Sequence, residues 1–469
     1  MPTPIPQPKG LPVLGNLFSL DSKNPWGSFN KLAAASPSNR PIFKISILGH
    51  DIVFVTSAAL LEEICDETRF RKCVTGPIVE IRAAVHDSLF TAYHSESEIW
   101  GVAHRIMKPL VSPEAIEGVF NEMRETTDDL IKKWTASSKQ RVNVCNDLDR
   151  SNHEANMLAF FHQRVSIMNG TEPAVIASCQ NATMEAVKRS SRPKFLTWLM
   201  GHQKRYDSDI KIMRNYGAEI VRKRREEYPD GGPKDMLHAL LHGVDSETGK
   251  KLSESQVLDE IINIFIGSAT APNLLSFGLY YLATNPDVVT KAREELDAVV
   301  GSGPFEHAHL SQIPYTEGIL RETLRLSATA PGFNIEPIPS PGNEPVLLAG
   351  GEYQVPRTQP LIALLTAVNR DPEVFEDPES FKPERMVGEK YDALPSGVKK
   401  GFGNGKRQCF GTRYAWEWGL LVLARLIKEV DFELADKKYK MSNEGVNYNG
   451  AFSTRPVGFF LLASPRASV

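Results

Sequence analysis

Cysteine is scarce in this sequence, and its distribution argues against a disulfide framework. The 469 residues contain five cysteines, an odd number, and no two of them have zinc-finger spacing. We therefore expect neither a disulfide-rich domain nor a cysteine-based structural metal site, and a reducing compartment is favoured. The cysteines are Cys65, Cys73, Cys145, Cys179 and Cys409.

A strong net charge and a hydrophobic leader are also missing. The formal net charge is -3, which gives no reason to expect nucleic-acid binding. The N-terminal segment MPTPIPQPKGLPVLGN is rich in proline and contains neither a membrane-spanning run nor the apolar centre of a signal peptide. These absences predict a soluble, cytoplasmic protein without a transmembrane anchor.

The patterns that are present are mostly helical. Short strand-like runs, PIFKISIL and DIVFVT, occur early, and helical periodicity dominates from about residue 113 to 300. After residue 330 the chain is rich in proline and glycine, and a last amphipathic helix follows in RYAWEWGLLVLARLIKEV. The sequence predicts a mainly α protein with a minor β part.

One predicted helix is unusually long. Ser253-Glu-Ser-Gln256 has the pattern of a capping box that opens it, and Asn285-Pro286 ends it. Its middle, IINIFIGSATAPNLLSFGLYYL, is almost entirely apolar, as in a helix buried in a large core or in a membrane. Because polar residues interrupt this run, we predict a buried central helix, kinked by Pro272.

The segment with the most chemical information is Phe402-Gly-Asn-Gly-Lys-Arg-Gln-Cys409-Phe-Gly. A thiolate that binds a metal needs shelter from water and nearby amide N–H donors, and a glycine-rich backbone allows that close approach. The apolar helix that follows would place the sulfur near a helix N-terminus, where negative charge is favoured. The alternative is a free buried cysteine in a glycine-rich turn.

The spacing F-x-x-G-x-R-x-C-x-G resembles the haem-binding loop of the cytochrome P450 family at every defined position. The resemblance implies heme b (iron protoporphyrin IX) with Cys409 as its iron ligand, Phe402 and Gly403 against the cofactor, and Arg407 at a haem propionate. It also implies the P450 fold, mainly α with a long central helix over the haem. Residues 1–469 would form a single haem domain without a reductase module.

Two further segments resemble cofactor-binding parts of the family. Trp100 and His104 in EIWGVAHRIMKP lie one helical turn apart, and the family places an indole and a basic side chain there on the propionates. Arginine is common at the second place, so His104 is the first candidate and the adjacent Arg105 the second. Lys72, in the family-like segment CDETRFRK, is another cofactor-binding candidate. For Trp100 the alternative is core packing.

A charged triad completes the resemblance. Glu322 and Arg325 in GILRETLRL lie on one helical face and resemble the family's E-x-x-R pair. Arg385 in FKPERM matches the arginine that joins this pair in the family. The resemblance implies that the three residues are structural and hold the core around the cysteine loop.

The stretches DSLFTAYHSE, LLSFGLYYL and TAPGF are similar to those of soluble fatty-acid hydroxylases, which are fused to a flavin reductase in bacteria and fungi. By this resemblance Phe90 and Phe265 contact substrate, with plain core packing as the alternative for Phe90. The region from about 150 to 205, which forms the substrate roof in this family, is much less similar. His50 and Phe54 replace the arginine and tyrosine that hold the fatty-acid carboxylate, so we predict that ordinary long-chain fatty acids are not the substrates.

The central helix departs from the usual family pattern. Typical monooxygenases carry an acid followed by a threonine there, and the pair guides protons during dioxygen cleavage. Thr270 matches the alcohol, but the acid position is Ala269, which has no proton to give. Asn273 lies one turn after Thr270 and is placed to hydrogen-bond substrate, water or a diatomic ligand. We take Ala269, Thr270 and Asn273 as catalytic candidates, with Ala269 and Thr270 also facing substrate.

The resemblance implies a monooxygenase that inserts oxygen from O2 into a lipophilic small molecule, with electrons from a separate NADPH-dependent flavin reductase. The alternative is a P450-fold enzyme that reduces nitric oxide, rearranges hydroperoxides or uses peroxide. The Ala-Thr-x-x-Asn pattern, which is similar to fungal nitric-oxide-reducing P450s, keeps that alternative open. A haem sensor is a third reading, disfavoured because no output module is visible.

Overall fold

Helices account for most of the regular structure in this computed structural model, as the sequence predicts. The model describes residues 2–21, 24–35, 41–95, 97–190, 192, 194–442, 447–450 and 452–467. The α-helices there are α1 (Pro25–Ala35), α2 (Ala58–Ile64), α3 (Pro77–Val85), α4 (Glu98–Met107), α5 (Pro113–Gly118), α6 (Phe120–Trp134), α7 (Val144–Phe161), α8 (Ala174–Arg189), α9 (Lys194–Leu199), α10 (His202–Glu227), α11 (Met236–His242), α12 (Glu254–Ser268), α13 (Thr270–Thr284), α14 (Pro286–Val300), α15 (Pro314–Leu326), α16 (Leu365–Val368), α17 (Gly388–Asp392) and α18 (Thr412–Glu429).

The strands form small sheets beside the helices. They are β1 (Ile42–Ile47), β2 (His50–Val55), β3 (Phe70–Lys72), β4 (Gln140–Asn143), β5 (Gly332–Pro337), β6 (Val346–Leu348), β7 (Tyr353–Val355), β8 (Leu361–Leu364), β9 (Val430–Leu434), β10 (Tyr448–Gly450), β11 (Thr454–Pro456) and β12 (Phe460–Pro465). The largest sheet has the order β1-β2-β8-β5-β3, and β4-β12-β9 form a second. In the first sheet β1 and β2 are an antiparallel hairpin, with Ile42 opposite Val55.

The core lies where α13 packs against α7, α15 and α18. Trp134 of α6 and Trp418 of α18 are among its fully buried side chains. Because helices surround α13, apolar residues on every side of it are shielded from water, which explains why its sequence lacks a polar face.

The long central helix is two helices that meet at Ala269. The capping box is confirmed, since the Ser253 hydroxyl and the Gln256 side chain each bond the other's backbone N–H. The predicted kink at Pro272 is confirmed by the break between α12 and α13, because Pro272 has no N–H to donate to the carbonyl of Ser268. Asn152 of α7 donates its Nδ2 to that carbonyl instead, at 2.8 Å.

The whole central span, Glu254–Thr284, is 31 residues long and apolar enough to cross a membrane by length and composition alone. In its most apolar window 61% of the residues are buried inside the protein. This burial is typical of a core helix and agrees with the predicted buried central helix.

Candidate active site

The loop before α18 holds Cys409 in a tight turn. The Cys409 N–H donates to the carbonyl of Phe402 at 2.8 Å. Gly403 (φ 87°) and Gly405 (φ 57°) adopt backbone conformations that residues with a side chain rarely take. The Phe402 ring lies edge-on to Trp416 of α18, with the ring centres 6.0 Å apart. The glycines therefore permit the turn, and the Cys409 side chain is left exposed.

Opposing influences act on the Cys409 sulfur. Burial raises the pKa of the thiol, whereas the Gly411 amide, the Thr412 hydroxyl and the charge of Lys72 lower it. Since the side chain is nevertheless exposed, it opens onto a space that protein atoms surround. Burial is the largest influence, so the free thiol stays protonated at neutral pH. A bound metal cation would hold it as the thiolate.

Lys72, on β3, is close enough to influence this sulfur. Its ammonium donates to the carbonyl of Phe90 at 2.6 Å and lies 4.4 Å from the centre of the Phe90 ring. Burial lowers the pKa of Lys72 well below its usual value, and the charge of Arg407 lowers it further. An anionic group bound beside Lys72 would favour its charged form.

Arg407 and Trp100 connect the cysteine loop to α4. The Arg407 Nη2 donates to the carbonyls of Ala92 at 2.8 Å and Leu89 at 3.3 Å. The Arg407 Cζ atom lies 5.5 Å from the centre of the Trp100 ring. Trp100 stacks on His104, with ring centres 4.5 Å apart and an angle of 16° between the planes. The structure thus joins three separately predicted candidates in one cluster.

His104 and Arg105 differ in their partners. The His104 ring meets Phe410, the residue after the cysteine, edge-on at 5.9 Å. Burial lowers the pKa of His104, and neighbouring cations lower it further, so the ring is neutral at pH 7. Arg105 instead donates its Nη2 to Asp245 at 2.8 Å. This ion pair occupies Arg105, so His104 remains the first candidate for a propionate.

The side chains of this cluster have the chemical groups that a bound haem needs. Cys409 offers an accessible soft ligand for iron. Lys72, Arg407, Trp100 and His104 offer N–H donors to carboxylates. Lys72 is half-buried, and none of the ion pairs among the described residues involves it.

The junction of α12 and α13 carries the distal candidates. Gly267 is exposed although it lies inside a largely buried helix, and no described atom outside the adjoining turns of its own helix lies within 4 Å of where a Cβ on it would stand. The Thr270 hydroxyl donates to the carbonyl of Gly267 at 3.0 Å. Asn273 donates its Nδ2 to Ser453 at 3.3 Å. Its Oδ1 is buried without a hydrogen-bond partner among the described residues.

The predicted substrate contacts are aromatic. Phe90 meets Phe452 edge-on, with ring centres 6.2 Å apart. Phe265 of α12 stacks on His153 at 5.1 Å and lines a cavity next to the central helix. At the predicted channel mouth, His50 is exposed and Phe54 is fully buried. Phe54 stacks on Phe43 in the core and does not face the predicted channel mouth, and a phenylalanine side chain has no polar group to hold a carboxylate.

Comparison with known proteins agrees with this arrangement. Residues 5–463 match the family described as cytochrome P450. The chain belongs to the cytochrome P450 family. The P450 fold and haem-thiolate chemistry implied by the cysteine loop are therefore confirmed at the level of the family.

Several fungal P450 relatives resemble the chain along almost its full length. The bifunctional cytochrome P450/NADPH–P450 reductase ascE of Acremonium egyptiacum is 36% identical over 471 residues, covering 99% of this chain and 43% of the relative. A self-sufficient cytochrome P450 monooxygenase of Exserohilum turcicum is 36% identical over 468 residues, covering 99% and 42%. One of Penicillium expansum is 36% identical over 469 residues, covering 98% and 43%. The chain thus spans about two-fifths of the length of these relatives.

The P450 charged triad assembles in the structure. The buried Glu322 carboxylate accepts from Arg325 Nε at 2.7 Å and Nη2 at 2.8 Å, and from the Lys382 N–H at 2.9 Å. Arg385 Nε lies 3.5 Å from Glu322 Oε1. The geometry suits the predicted structural role, which remains a prediction.

A group of polar residues that the sequence patterns did not single out lies in the same cavity as Phe265, next to the central helix. Asp149 and His153 of α7 line this cavity together with Ala269, Asn273 and Arg455. The signal was present in the run DLDRSNHEAN, because a helix inside a large protein rarely carries polar residues on every face. The residues of this run lie near the start of the region, from about 150 to 205, that differs from the fatty-acid hydroxylases. The resemblance to those enzymes therefore predicted no role for them.

Proposed function

We propose that this P450 is a monooxygenase that inserts one oxygen atom from O2 into a lipophilic small molecule. The observation that carries the proposal is the exposed Cys409 thiol among Lys72, Arg407, Trp100 and His104, because one soft ligand and several N–H donors match iron and two propionates. The names of the relatives, which include monooxygenases, support the reaction type.

The cofactor would be heme b. Cys409 would hold its iron, with Gly411 and Thr412 donating towards the sulfur. His104, Trp100, Arg407 and Lys72 would hold its carboxylates, and Arg105 would stay with Asp245. When bound, haem supplies the activation of dioxygen. The residues of the chain orient the substrate, exclude water and deliver protons.

Aromatic walls fit a lipophilic substrate. Phe90, Phe452 and Phe265 present apolar surface near the central helix. Thr270 directly follows the helix junction, and its Oγ1 hydroxyl donates a hydrogen bond to the carbonyl of Gly267. Ala269 leaves the neighbouring position without an acid, so efficient turnover needs protons from elsewhere.

The electron donor would be an NADPH-dependent flavin reductase. From the sequence the reductase is predicted to be a separate protein. The name of the Acremonium egyptiacum relative, by contrast, includes both a cytochrome P450 and an NADPH–P450 reductase. We also propose that residues 1–469 fold as one haem domain in the cytoplasm.

The test is reconstitution of the haem-loaded protein with an NADPH–P450 reductase and isotopically labelled dioxygen. Long-chain alcohols, alkylphenols, terpenoids and fatty acids would be offered as substrates. The proposal expects one labelled oxygen atom per product molecule, lost in Cys409→Ala and kept in the control Cys65→Ala. Turnover of nitric oxide or of a hydroperoxide, with no labelled product from any substrate, would contradict it.

A further inference from the structure

The cavity that Phe265 and Phe452 line at the helix junction also contains a carboxyl group that the usual P450 motif does not provide. The cavity has a volume of about 110 Å³ and is lined by Ala269 and Asn273 of the central helix. Asp149 of α7, Gln180 of α8 and Arg455 of β11 line it from other elements. An acid is therefore present beside position 269, although it comes from another helix.

The packing of α7 brings Asp149 close to the junction. Asn152 donates its Nδ2 to the carbonyl of Ser268 at 2.8 Å, so this part of α7 touches the residue before Ala269. Asp149 lies three residues before Asn152, and residues at that spacing are neighbours on one helix face, roughly 5–6 Å apart at Cβ. The Asp149 carboxyl thus stands about one helical turn from the contact with the junction.

The surroundings of Asp149 keep its carboxyl titratable. Burial raises its pKa from 3.8 to about 6, and Glu172 raises it too, whereas Arg455 and Gln180 lower it. Arg455 Nη2 lies 3.2 Å and Gln180 Nε2 3.3 Å from Asp149 Oδ2. Arg455 also interacts with the buried thiol Cys145, whose pKa is itself raised by burial.

His153 is the other titratable group of α7 that lines the cavity. Burial lowers its pKa to about 4, so its ring is neutral where Asp149 titrates. Its Nε2 is engaged by the hydroxyl of Tyr216 at 3.0 Å. Asp149 is therefore the lining acid that exchanges a proton near neutral pH.

Asn273 links this cavity to the predicted proton-guiding threonine. Its side chain is 1% exposed and lines the cavity, and its Oδ1 has no hydrogen-bond partner among the described residues. Asn273 lies one turn after Thr270, on the same face. The cavity has room for about three water molecules, enough to connect the Asp149 carboxyl to Asn273. Thr270 does not line the cavity, and Asn273 is the residue through which a proton would reach it, one helical turn away.

We propose that Asp149 supplies protons to dioxygen reduction at the haem site and so replaces the acid that Ala269 lacks. This inference rests on the proposed monooxygenase function. NADPH, through the flavin reductase, supplies two electrons. Asp149 releases a proton from its carboxyl towards Thr270 and regains one from solvent. In the balanced reaction, RH, O2, NADPH and H+ give ROH, H2O and NADP+.

The same proton supply governs turnover without added substrate, which makes the test independent of substrate identity. NADPH, H+ and O2 give NADP+ and hydrogen peroxide when protons arrive poorly. Two NADPH, two H+ and O2 give two NADP+ and two H2O when they arrive well. The ratio of peroxide released to water formed therefore measures proton delivery in the haem-loaded protein with reductase.

Asp149→Asn should raise the peroxide-to-water ratio at least about tenfold, since positioned acids contribute about 10²–10⁴ in rate. Asp149→Glu should keep the peroxide-to-water ratio low. The double variant that adds Ala269→Glu to Asp149→Asn should return to a low ratio. Asp147→Asn is the matched control, because Asp147 is buried on the same helix but binds Lys133 and Trp134 instead of lining the cavity.

Two further measurements begin with the unmodified protein, and the first of them needs no variant. The peroxide-to-water ratio should rise as pH rises through about 6, where Asp149 ionises. Infrared difference spectroscopy should show a protonated carboxyl that titrates in the same range, a band that Asp149→Asn removes.

An unchanged ratio in folded Asp149→Asn, or a ratio in the unmodified protein that does not vary between pH 5 and pH 7, would overturn the inference. If Asp149→Asn instead changes only the KM for a substrate, Asp149 positions substrate and the inference is wrong. These outcomes can be told apart from failure of the proposed monooxygenase function. In that case the unmodified enzyme would give no product labelled from dioxygen.

Discussion

Removal of the Glu322 carboxylate should be among the most destabilising single changes in this P450. Glu322 is fully buried and accepts two bonds from Arg325 and one from the backbone of Lys382. Arg385 approaches it to 3.5 Å. In Glu322→Ala the buried Arg325 loses its only ion-pair partner among the described residues, and Arg385 keeps only the more weakly acting Asp377 and Glu376.

The magnitude follows from these contacts. Breaking a buried ion pair from one side costs about 3–5 kcal/mol, because the remaining charge is uncompensated. Arg325 keeps the carbonyls of Asn369, Pro378 and Ser380 as acceptors, so the cost should not exceed this range. A loss of 3–5 kcal/mol changes the folding equilibrium by more than about a hundredfold. It is a large share of a typical total stability of about 5–15 kcal/mol.

Urea denaturation followed by circular dichroism, together with the haem-to-protein ratio, would measure this loss. Glu322→Gln should lie between the unmodified protein and Glu322→Ala, because its amide oxygen still accepts from Arg325. The control is Glu226→Ala, which removes an exposed i,i+4 partner of Arg222 and should change nothing measurable. If Glu322→Ala is haem-replete and as stable as the control, the triad does not hold the core.

Three further outcomes are expected. Phe90→Ala should alter product distribution or substrate-induced spectral shifts, because it removes the ring beside Lys72 and Phe452; unchanged products would place Phe90 in the plain core. Burial raises the pKa of Glu260 from 4.5 to about 8, so its contribution to stability is complete below pH 4.5 and is lost as pH rises through 8. Glu260→Gln should flatten this decline in denaturation experiments across pH, and an equal decline in both proteins would refute the assignment. Ordinary C12–C16 fatty acids should bind weakly in spectral titrations, since buried Phe54 offers no donor to a carboxylate; tight productive binding would contradict this.

Local patterns could be predicted from the sequence because their residues are neighbours along the chain. The capping box at Ser253, the turn before Cys409 and the stacked pair of Trp100 and His104 all follow from spacing within a few residues. The glycines of the cysteine loop permit its positive-φ backbone without help from distant residues, so the motif alone predicts the turn.

Features that depend on distant partners could not be predicted. The break at Ala269 involves Pro272, but its accommodation depends on Asn152, which lies in another helix. Arg105 is a candidate for a haem propionate by its position beside His104, but its partner Asp245 lies far along the chain, so the local sequence does not show that Arg105 is occupied. The pairing of Asp149 with Arg455 joins residues that are far apart in the sequence and has no short-range signal.

The central claim is that the Cys409 thiolate is the ligand of haem iron. The most direct test is the absorption spectrum of the reduced protein under carbon monoxide, compared with those of Cys409→Ala and Cys65→Ala. Cys65 is the matched control, because its carbonyl accepts from Asn404 of the same loop while its thiol stays protonated, with burial raising its pKa to about 11. The unmodified protein and Cys65→Ala should show the strongly red-shifted Soret band of thiolate ligation, and Cys409→Ala should lose it. Persistence of that band in haem-loaded Cys409→Ala would contradict the account.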